Sequence, residues 1–473
     1  MASSINVSIN FQSTSDGWRG KLADNFNFQN IRLLGEAISR YLTKDLGSKE
    51  IVIGYDTRFM SCEFANFLTD IFINNGINVY RLSKPRPTPF LSFSVVNKKT
   101  KIGLMVTASH NPPFDNGIKI RMGYGGAPST KIVKNIEKYL WAENTKMSGF
   151  PKGQLRNIDP TDEYIEKIKK MTDLNDLPKK PISVLVDTMH GTTLGLLKKI
   201  VKKTNIKVSY INSSLDPYFG KFPPEPKFET TFKLQKLIQS NKYNLGIAHD
   251  GDGDRIVAVS PKHGYLSPHD VSAIILWYLV SIKKISGKVV GSSTLGRRVR
   301  MLSQHFGLQF QEIPVGFKNA TKIMLNKNVL LAAEENGGIG FGFYLPERDA
   351  ILAATVLCQI EAMIAGGIDF VLEEIKKVAG ESGFSRYNYI SKTNRSELMA
   401  KINNTSENKF ALLPIKNVSR LDGVKITFKN NDWVSIRFSE TENIIRIYAE
   451  SNDRLSAEKI IAFIKNLFVE LDN

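Results

Sequence analysis

Three stretches of the chain repeat one plan, and that repetition constrains the fold more than any other feature. Each has a β-branched run, a turn, an amphipathic helix, then a second apolar run that ends in a polar loop. In the first, Ile51 to Tyr55 predicts a strand and Cys62 to Ile73 a helix. A second strand, Ile102 to Val106, leads into Thr107-Ala108-Ser109-His110-Asn111-Pro112. In the second, Ser183 to Val186 predicts a strand and Thr193 to Lys202 a helix. Leu245 to Ala248 then leads into Asp250-Gly251-Asp252-Gly253-Asp254-Arg255. The third begins at Lys288-Val289-Val290, and Val329 to Ala333 runs into Glu334-Glu335-Asn336-Gly337-Gly338. Alternation of this kind builds α/β domains, and in such sheets ligands bind beyond the carboxyl ends of the strands, where all three polar loops sit. The tail departs from the plan: Asp432 to Arg437 alternates, Ile444 to Ala449 is apolar, and Leu455 to Leu471 is an amphipathic closing helix. At 473 residues the chain exceeds what one core supports. The expected organisation is three similar α/β domains, 1–153, 154–262 and 263–378, followed by a smaller α+β domain, 379–473.

Composition narrows the function. With 42% hydrophobic and 23% charged residues the chain reads as a soluble globular protein. Its longest apolar run, Ala273 to Val280, falls far short of the roughly 20 residues that span a bilayer, so no membrane partner is expected. Met1 to Ile5 lacks the basic and apolar regions of a secretory signal, and a cytoplasmic location is the expectation. Two cysteines, Cys62 and Cys358, exclude a disulfide framework and a cysteine zinc site. The net charge of +18 raises the question of nucleic acid. The lysines, however, are spread along helix faces such as Leu197 to Lys203, and no basic segment is interleaved with aromatics. No nucleic-acid partner is expected; a positive field would instead steer a dianionic phosphate.

The aspartates at 250, 252 and 254 are the sharpest chemical signal. Three carboxylates at alternate positions, spaced by glycines, can converge on one hard cation, and oxygen-only ligation suits Mg²⁺. A calcium loop would need glycine and glutamate where Arg255 and Pro261 stand. A solvated turn is the bland alternative. Ser109 is a nucleophile candidate on a loop after a buried strand, but the G-x-S-x-G pattern of acyl transfer is absent. Neighbours in an extended chain point apart, so His110 is poorly placed to deprotonate it. A turn or N-cap serine is the alternative; a serine that carries a phosphoryl group fits better beside a metal. Lys119 lies in a short apolar strand with one partly desolvated face, which would lower its pKa and make it a candidate general base; a snorkelling surface lysine is the common alternative. Glu334 to Gly338 offers carboxylate and amide groups suited to sugar hydroxyls, or a plain helix-entry turn. Arg437 with Ser439 and Thr441 offers a phosphate grip, or a hairpin turn. Neither the dinucleotide nor the P-loop pattern occurs.

Taken in order, these segments resemble the α-D-phosphohexomutase superfamily nearly end to end. The likeness covers Ser15 to Gly20, Gly54-Tyr55-Asp56-Thr57-Arg58, Thr107 to Pro112, Asp187 to Gly191, Asp250 to Arg255, Gly316-Phe317-Lys318, Glu334 to Gly338 and Arg437 to Glu450. The resemblance implies four domains around a central cleft. It implies a phosphoserine at Ser109, Mg²⁺ held by its phosphate with Asp250, Asp252 and Asp254, Lys119 as general base, and His110, Arg19 and Arg255 positioning groups nearby. It makes Glu334 and Asn336 readers of sugar hydroxyls, with Lys318 also on the substrate, and gives Arg437, Ser439 and Thr441 the non-reacting phosphate. The implied reaction interconverts hexose 1- and 6-phosphates, glucose and also mannose, through a hexose 1,6-bisphosphate that serves as intermediate and activator. The implied partners are small sugar phosphates, and a monomer or dimer is expected.

Two positions depart from the family pattern. Asn336 stands where serine is frequent, and its amide keeps donor and acceptor. Glu440 stands where glycine is usual in the phosphate loop, and a carboxylate there is expected to oppose a phosphate. The loop at Glu334 lacks the histidine frequent in phosphoglucosamine mutases, which leaves that activity as the alternative. A catalytically weak sugar-phosphate-binding homologue is the reading Glu440 would favour.

Overall fold

The computed structural model describes residues 13–14, 17–140, 151–174, 177, 180–240, 242–326, 328–390, 397, 400–402, 412–438 and 444–472. Four sheets follow one another along the chain. The first has seven strands in the order Ser13–Thr14, Gly17–Lys21, Asp115–Met122, Ile102–Val106, Glu50–Tyr55, Asn78–Leu82 and Leu155–Ile158. Its last strand lies past the boundary expected at residue 153 and pairs in parallel with Asn78–Leu82, so the first unit closes at Ile158. The second sheet orders Gly264–Leu266, Ile256–Ser260, Leu245–His249, Ile182–Asp187 and Ile206–Ile211. The third orders Phe310–Ile313, Lys288–Ser292, Val329–Ala333 and Ile339–Phe341. The fourth is antiparallel throughout, Gly383–Ile390, Ile444–Ser451, Trp433–Phe438, Val424–Phe428 and Ile415–Ser419, with the closing helix Arg454–Asp472 packed on it. The expected α/β, α/β, α/β and α+β series is the observed one.

The shared plan of the first three units has a geometric meaning. In each, a buried strand in a parallel stretch is followed by an antiparallel return strand: Ile102–Val106 by Asp115–Met122, Leu245–His249 by Ile256–Ser260, Val329–Ala333 by Ile339–Phe341. The polar loops are therefore hairpin tips, and short hairpins fix where their side chains point. The strands entering them are buried at every residue, as near-continuous apolar runs predict.

The second and third units share one core. Helix Ala350–Met363 is buried at every position except Met363 and packs with Pro268–Ser281 and strands of the second sheet, in a core that also takes in Leu330, Leu331 and Phe341 of the third. It is apolar on nearly every face, with Thr355, Gln359 and Glu361 as exceptions, because it is enclosed all round. Among the described residues no single helix is long and apolar enough to cross a membrane.

One expected element is shorter than its pattern. The helix predicted over Thr193 to Lys202 is confined to Leu196–Ile200. Thr192 donates its hydroxyl to Gly251 O at 3.2 Å, the Thr193 hydroxyl lies 3.1 Å from His249 Nδ1, and Gly195 takes a left-handed φ of 79° before the helix begins. These residues brace the aspartate loop instead of extending the helix.

Candidate active site

The serine loop is fastened by one arginine. Asp56 accepts from the Thr107 hydroxyl at 2.6 Å, the Ser61 hydroxyl at 2.7 Å and Arg58 N at 3.0 Å. Thus held, the buried Arg58 guanidinium donates to four carbonyls: Ser109 O at 2.6 Å, Asn111 O at 2.8 Å, Pro112 O at 2.9 Å and Asp115 O at 3.0 Å. Ser109 N donates to the Thr107 hydroxyl at 2.8 Å. These bonds hold Ser109 at a left-handed φ of 54°, a conformation that costs an L-residue roughly 1–2 kcal/mol. The strained backbone brings the serine against the second unit, where a Cβ on Gly251 would stand 2.8 Å from Ser109 O.

Opposite Ser109 lie the three aspartates, all completely buried, with ligand atoms within 4.8 Å of one another. The Ser109 hydroxyl donates to Asp250 Oδ2 at 2.8 Å, while Asp250 Oδ1 accepts from Asp254 N at 3.0 Å and Arg255 N at 3.1 Å. Lys119 is 1% exposed and donates to Asp252 Oδ2 at 2.7 Å and Asp254 Oδ2 at 2.6 Å. Thr88 also donates its hydroxyl to Asp252 Oδ2. Among the described residues Asp252 Oδ1 and Asp254 Oδ1 are buried without a hydrogen bond. A buried carboxylate oxygen in that state is costly, and two of them beside a third carboxylate suit a hard divalent cation. The triad can hold such an ion. Burial and then Asp254 and Asp252 push the Asp250 carboxyl well above the usual carboxylate range. Burial acts the same way on Asp252, but Lys119 overrides it and holds that carboxyl well below.

Lys119 corrects the sequence expectation. Its burial is complete, not one-sided, and its ammonium is ion-paired to two carboxylates of the aspartate loop. The reason is the strand register: Asp115–Met122 pairs between Ile102–Val106 and Gly17–Lys21, so alternate side chains face the neighbouring unit.

His110, Arg19 and Arg255 gather at the same place. Arg19 donates to Asn111 Oδ1 at 2.7 Å, and Arg255 Nε lies 3.9 Å from Asp254 Oδ1. Desolvation first, then Arg255, Arg19, Lys119 and Lys227, drive the His110 imidazole well below its usual pKa, so it is neutral at pH 7. Its Nδ1 is buried without a hydrogen-bond partner among the described residues.

The third loop is joined to the second. Arg255 bridges Gly338 in β fashion, and Ile256 N donates to Gly337 O at 3.0 Å. Gly337 has φ 92°, and a Cβ there would meet Ile256 O at 2.5 Å, so only glycine allows this approach. Glu334 is buried; Oε1 accepts from Gly316 N at 3.0 Å, and Oε2 accepts from Arg348 at 3.2 Å and from the Asn336 amide at 3.5 Å. Gly316 leads into helix Phe317–Met324, which carries Lys318; that half-buried ammonium has no hydrogen bond or ion pair among the described residues. Arg437, on the fourth sheet, donates to Asp422 Oδ2 at 2.6 Å. Asp422 Oδ2 also accepts from the Ser293 hydroxyl at 3.0 Å and from Val315 N at 2.8 Å, which ties the fourth unit to the third. Ser439, Glu440 and Thr441 lie outside the described residues.

The family models for the three α/β/α domains of phosphoglucomutase/phosphomannomutase match residues 12–147, 162–264 and 267–377 in order. The chain belongs to that family. It is therefore an enzyme of the mutase type within the α-D-phosphohexomutase superfamily. A phosphoglucomutase/phosphomannomutase of Thermococcus kodakarensis is 26% identical over 87% of this chain and 88% of its own. A phosphoglucosamine/phosphogalactosamine mutase of Sulfurisphaera tokodaii is 26% identical over 96% of this chain and 98% of its own. The crystal structure of a provisionally named phosphomannomutase from Thermus thermophilus matches with a TM-score of 0.84 and 28% identity, over 96% of this chain and 98% of that one.

Family membership leaves three groups that the sequence reading passed over. Asp56 and Arg58 fall within a family segment but were given no task. Arg348 joins Asp254 and Glu334, and Glu335 accepts from the Ser292 hydroxyl at 2.9 Å and faces the charge of Arg437. Nothing in the sequence near Arg348 points to a partner more than ninety residues upstream.

Proposed function

We propose that the enzyme interconverts hexose 1-phosphate and hexose 6-phosphate, with glucose and mannose as substrates, through a phosphoserine at Ser109 and a hexose 1,6-bisphosphate. The observation that carries this reading is the Ser109 hydroxyl bonded to one member of a buried aspartate triad whose other two members each keep an oxygen with no hydrogen bond among the described residues. Asp250, Asp252 and Asp254 would hold Mg²⁺, which when bound supplies charge neutralisation at the phosphoryl group. Ser109 carries that group: its Oγ–P bond breaks as a sugar hydroxyl forms a new P–O bond and gives up its proton. Lys119 is the candidate acceptor of that proton, a role that requires the amine left once its ion-paired ammonium has released a proton to solvent. Arg19, Arg255 and neutral His110 surround the same point with donors. Glu334 and Asn336 present the hydroxyl-reading groups, Lys318 offers its cation to a phosphate, and Arg437 with Ser439 and Thr441 would grip the non-reacting phosphate. Exchange of the two ends of one sugar between those grips explains why a single serine serves both directions.

Phosphoglucosamine mutase activity is the second reading, favoured by the Sulfurisphaera tokodaii relative. Coupled turnover of glucose 1-phosphate, mannose 1-phosphate and glucosamine 1-phosphate, each primed with its 1,6-bisphosphate, decides. The proposal expects kcat/KM for the two neutral sugars to exceed that for the amino sugar. The reverse order overturns the substrate assignment, and no turnover of any of the three overturns the mutase reaction.

A further inference from the structure

The contacts of Arg348 connect two functions that the proposed mechanism uses separately. Its Nη2 lies 2.8 Å from Asp254 Oδ2 in the aspartate loop, and its Nη1 lies 3.2 Å from Glu334 Oε2 in the sugar loop. The side chain is 5% exposed and has little freedom to leave. Its guanidinium lies over the Phe317 ring at 5.4 Å, and its stem packs so closely on Gly338 that a Cβ there would sit 2.3 Å from Arg348 Cδ. Its backbone is fixed by the next residue, Asp349, which caps helix Ala350–Met363. Asp254 Oδ2 thus receives two cations, Lys119 from the first unit and Arg348 from the third, and its Oδ1 has no hydrogen bond among the described residues. Asp252 Oδ2 has its own two donors, and neither of them is Arg348. A planar fork that spans two carboxylates cannot turn toward one without altering its hold on the other.

We propose that Arg348 is a positioning residue that couples sugar binding at Glu334 to divalent-cation binding at Asp254. A sugar hydroxyl that engages Glu334 draws on the carboxylate shared with Arg348, the fork shifts its grip on Asp254 Oδ2, and the affinity of the triad for its ion changes. The reciprocal effect follows by necessity, because a coupling free energy between two sites is symmetric. The β bridge between Arg255 and Gly338 joins the same loops through the backbone, so the side chain must be tested apart from it. This inference rests on the proposed roles of the triad and Glu334.

The test is binding, not turnover. Mn²⁺ affinity is measured by electron paramagnetic resonance with and without xylose 1-phosphate, a pentose phosphate that lacks the carbon-6 hydroxyl to be phosphorylated. Inorganic phosphate serves as the control for phosphate charge alone. The wild-type enzyme is expected to show an Mn²⁺ dissociation constant shifted about fivefold or more by the sugar phosphate beyond the phosphate control. The converse titration should show the same factor. In Arg348→Lys, which keeps the charge but not the fork, each ligand should still bind alone while the factor falls to within about twofold of one. Glu334→Gln, which weakens the link from its other end, should lower the factor in the same way. A factor that survives undiminished in both variants, or a wild-type factor of one, overturns the coupling. Failure of the wild-type triad to bind Mn²⁺ would instead overturn the metal assignment beneath it, so the two failures are distinguishable.

Discussion

At the residue scale, the placement of Ser109 depends on a side chain that never meets a substrate in the proposed mechanism. Arg58 satisfies four carbonyls of the serine loop from within the first unit, with Asp56 holding it from behind and the Phe219 ring 4.9 Å from its guanidinium. Lysine in that place has the charge but not the planar array of donors. Arg58→Lys is expected to leave about two of the four carbonyls unpaired, at roughly 1–3 kcal/mol each, and to let Ser109 relax from its left-handed φ. Urea unfolding should register a loss on the order of 3 kcal/mol, with kcat reduced more than KM rises. Unchanged kcat in a destabilised variant would make Arg58 purely structural. This residue also shows where the sequence stopped being legible. Ser109, Lys119 and the aspartates could be read because each motif announces its own chemistry within a few positions. Arg58 and Ser109 are 51 positions apart, and Arg348 and Asp254 are 94 apart, so their meeting is a property of the folded units.

At the element scale, the helix start at Asp349 carries a built-in pH response. Asp349 accepts from Ile351 N and Leu352 N, each at 3.0 Å, and from the Tyr164 hydroxyl at 2.9 and 2.7 Å. Burial outweighs these bonds and pushes its carboxyl up to about 7. A carboxyl raised in the folded state binds more protons folded than unfolded, so stability falls as pH rises between the two values. The contribution is fully present below about 4, near the unfolded value, and is gone once pH passes about 7. Over some three pH units this amounts to about 4 kcal/mol. Asp349→Asn keeps the cap and removes the titration, so denaturant midpoints measured from pH 4 to pH 7 should decline less steeply than in the wild type. Parallel profiles would refute the assignment. Most strands were legible because buried parallel runs are almost uninterrupted Val, Ile, Leu and Ala. The helix expected from Thr193 was not, because its apolar spacing is real but its first residues are engaged by Gly251 and His249.

At the scale of the whole molecule, the site is assembled from units that do not contain it separately. Ser109 and Lys119 come from the first unit, the aspartates from the second, Glu334 and Arg348 from the third, and Arg437 from the fourth. The fourth unit is fastened to the third through buried charge. Arg297 pairs with Asp432 at 3.0 Å and donates to Glu381 O and Asn452 Oδ1, both at 2.6 Å. Its backbone N–H donates to the Glu450 carboxylate at 2.7 Å. Lys425 donates to Ser293 O at 2.6 Å and Glu312 at 2.7 Å. Arg297→Ala strands a buried carboxylate, which typically costs about 3–5 kcal/mol, and loosens the unit that carries Arg437. The expected outcome is a raised KM for hexose phosphates with kcat little changed, together with a lower melting temperature. A lowered kcat at constant KM would place Arg297 in the chemistry and not in the docking.

The central claim is that Ser109 carries the phosphoryl group between the two ends of the sugar, and peptide mass spectrometry tests it most directly. The enzyme is treated with glucose 1,6-bisphosphate carrying ¹⁸O in its phosphates, quenched and digested, and a second sample is chased with excess unlabelled glucose 1-phosphate before quenching. The expected outcome is a single added phosphate on Ser109, labelled in the first sample and exchanged for unlabelled phosphate in the second as the sugar is converted. Turnover of glucose 1-phosphate with no phosphate on Ser109, or with the phosphate on another residue, would contradict it.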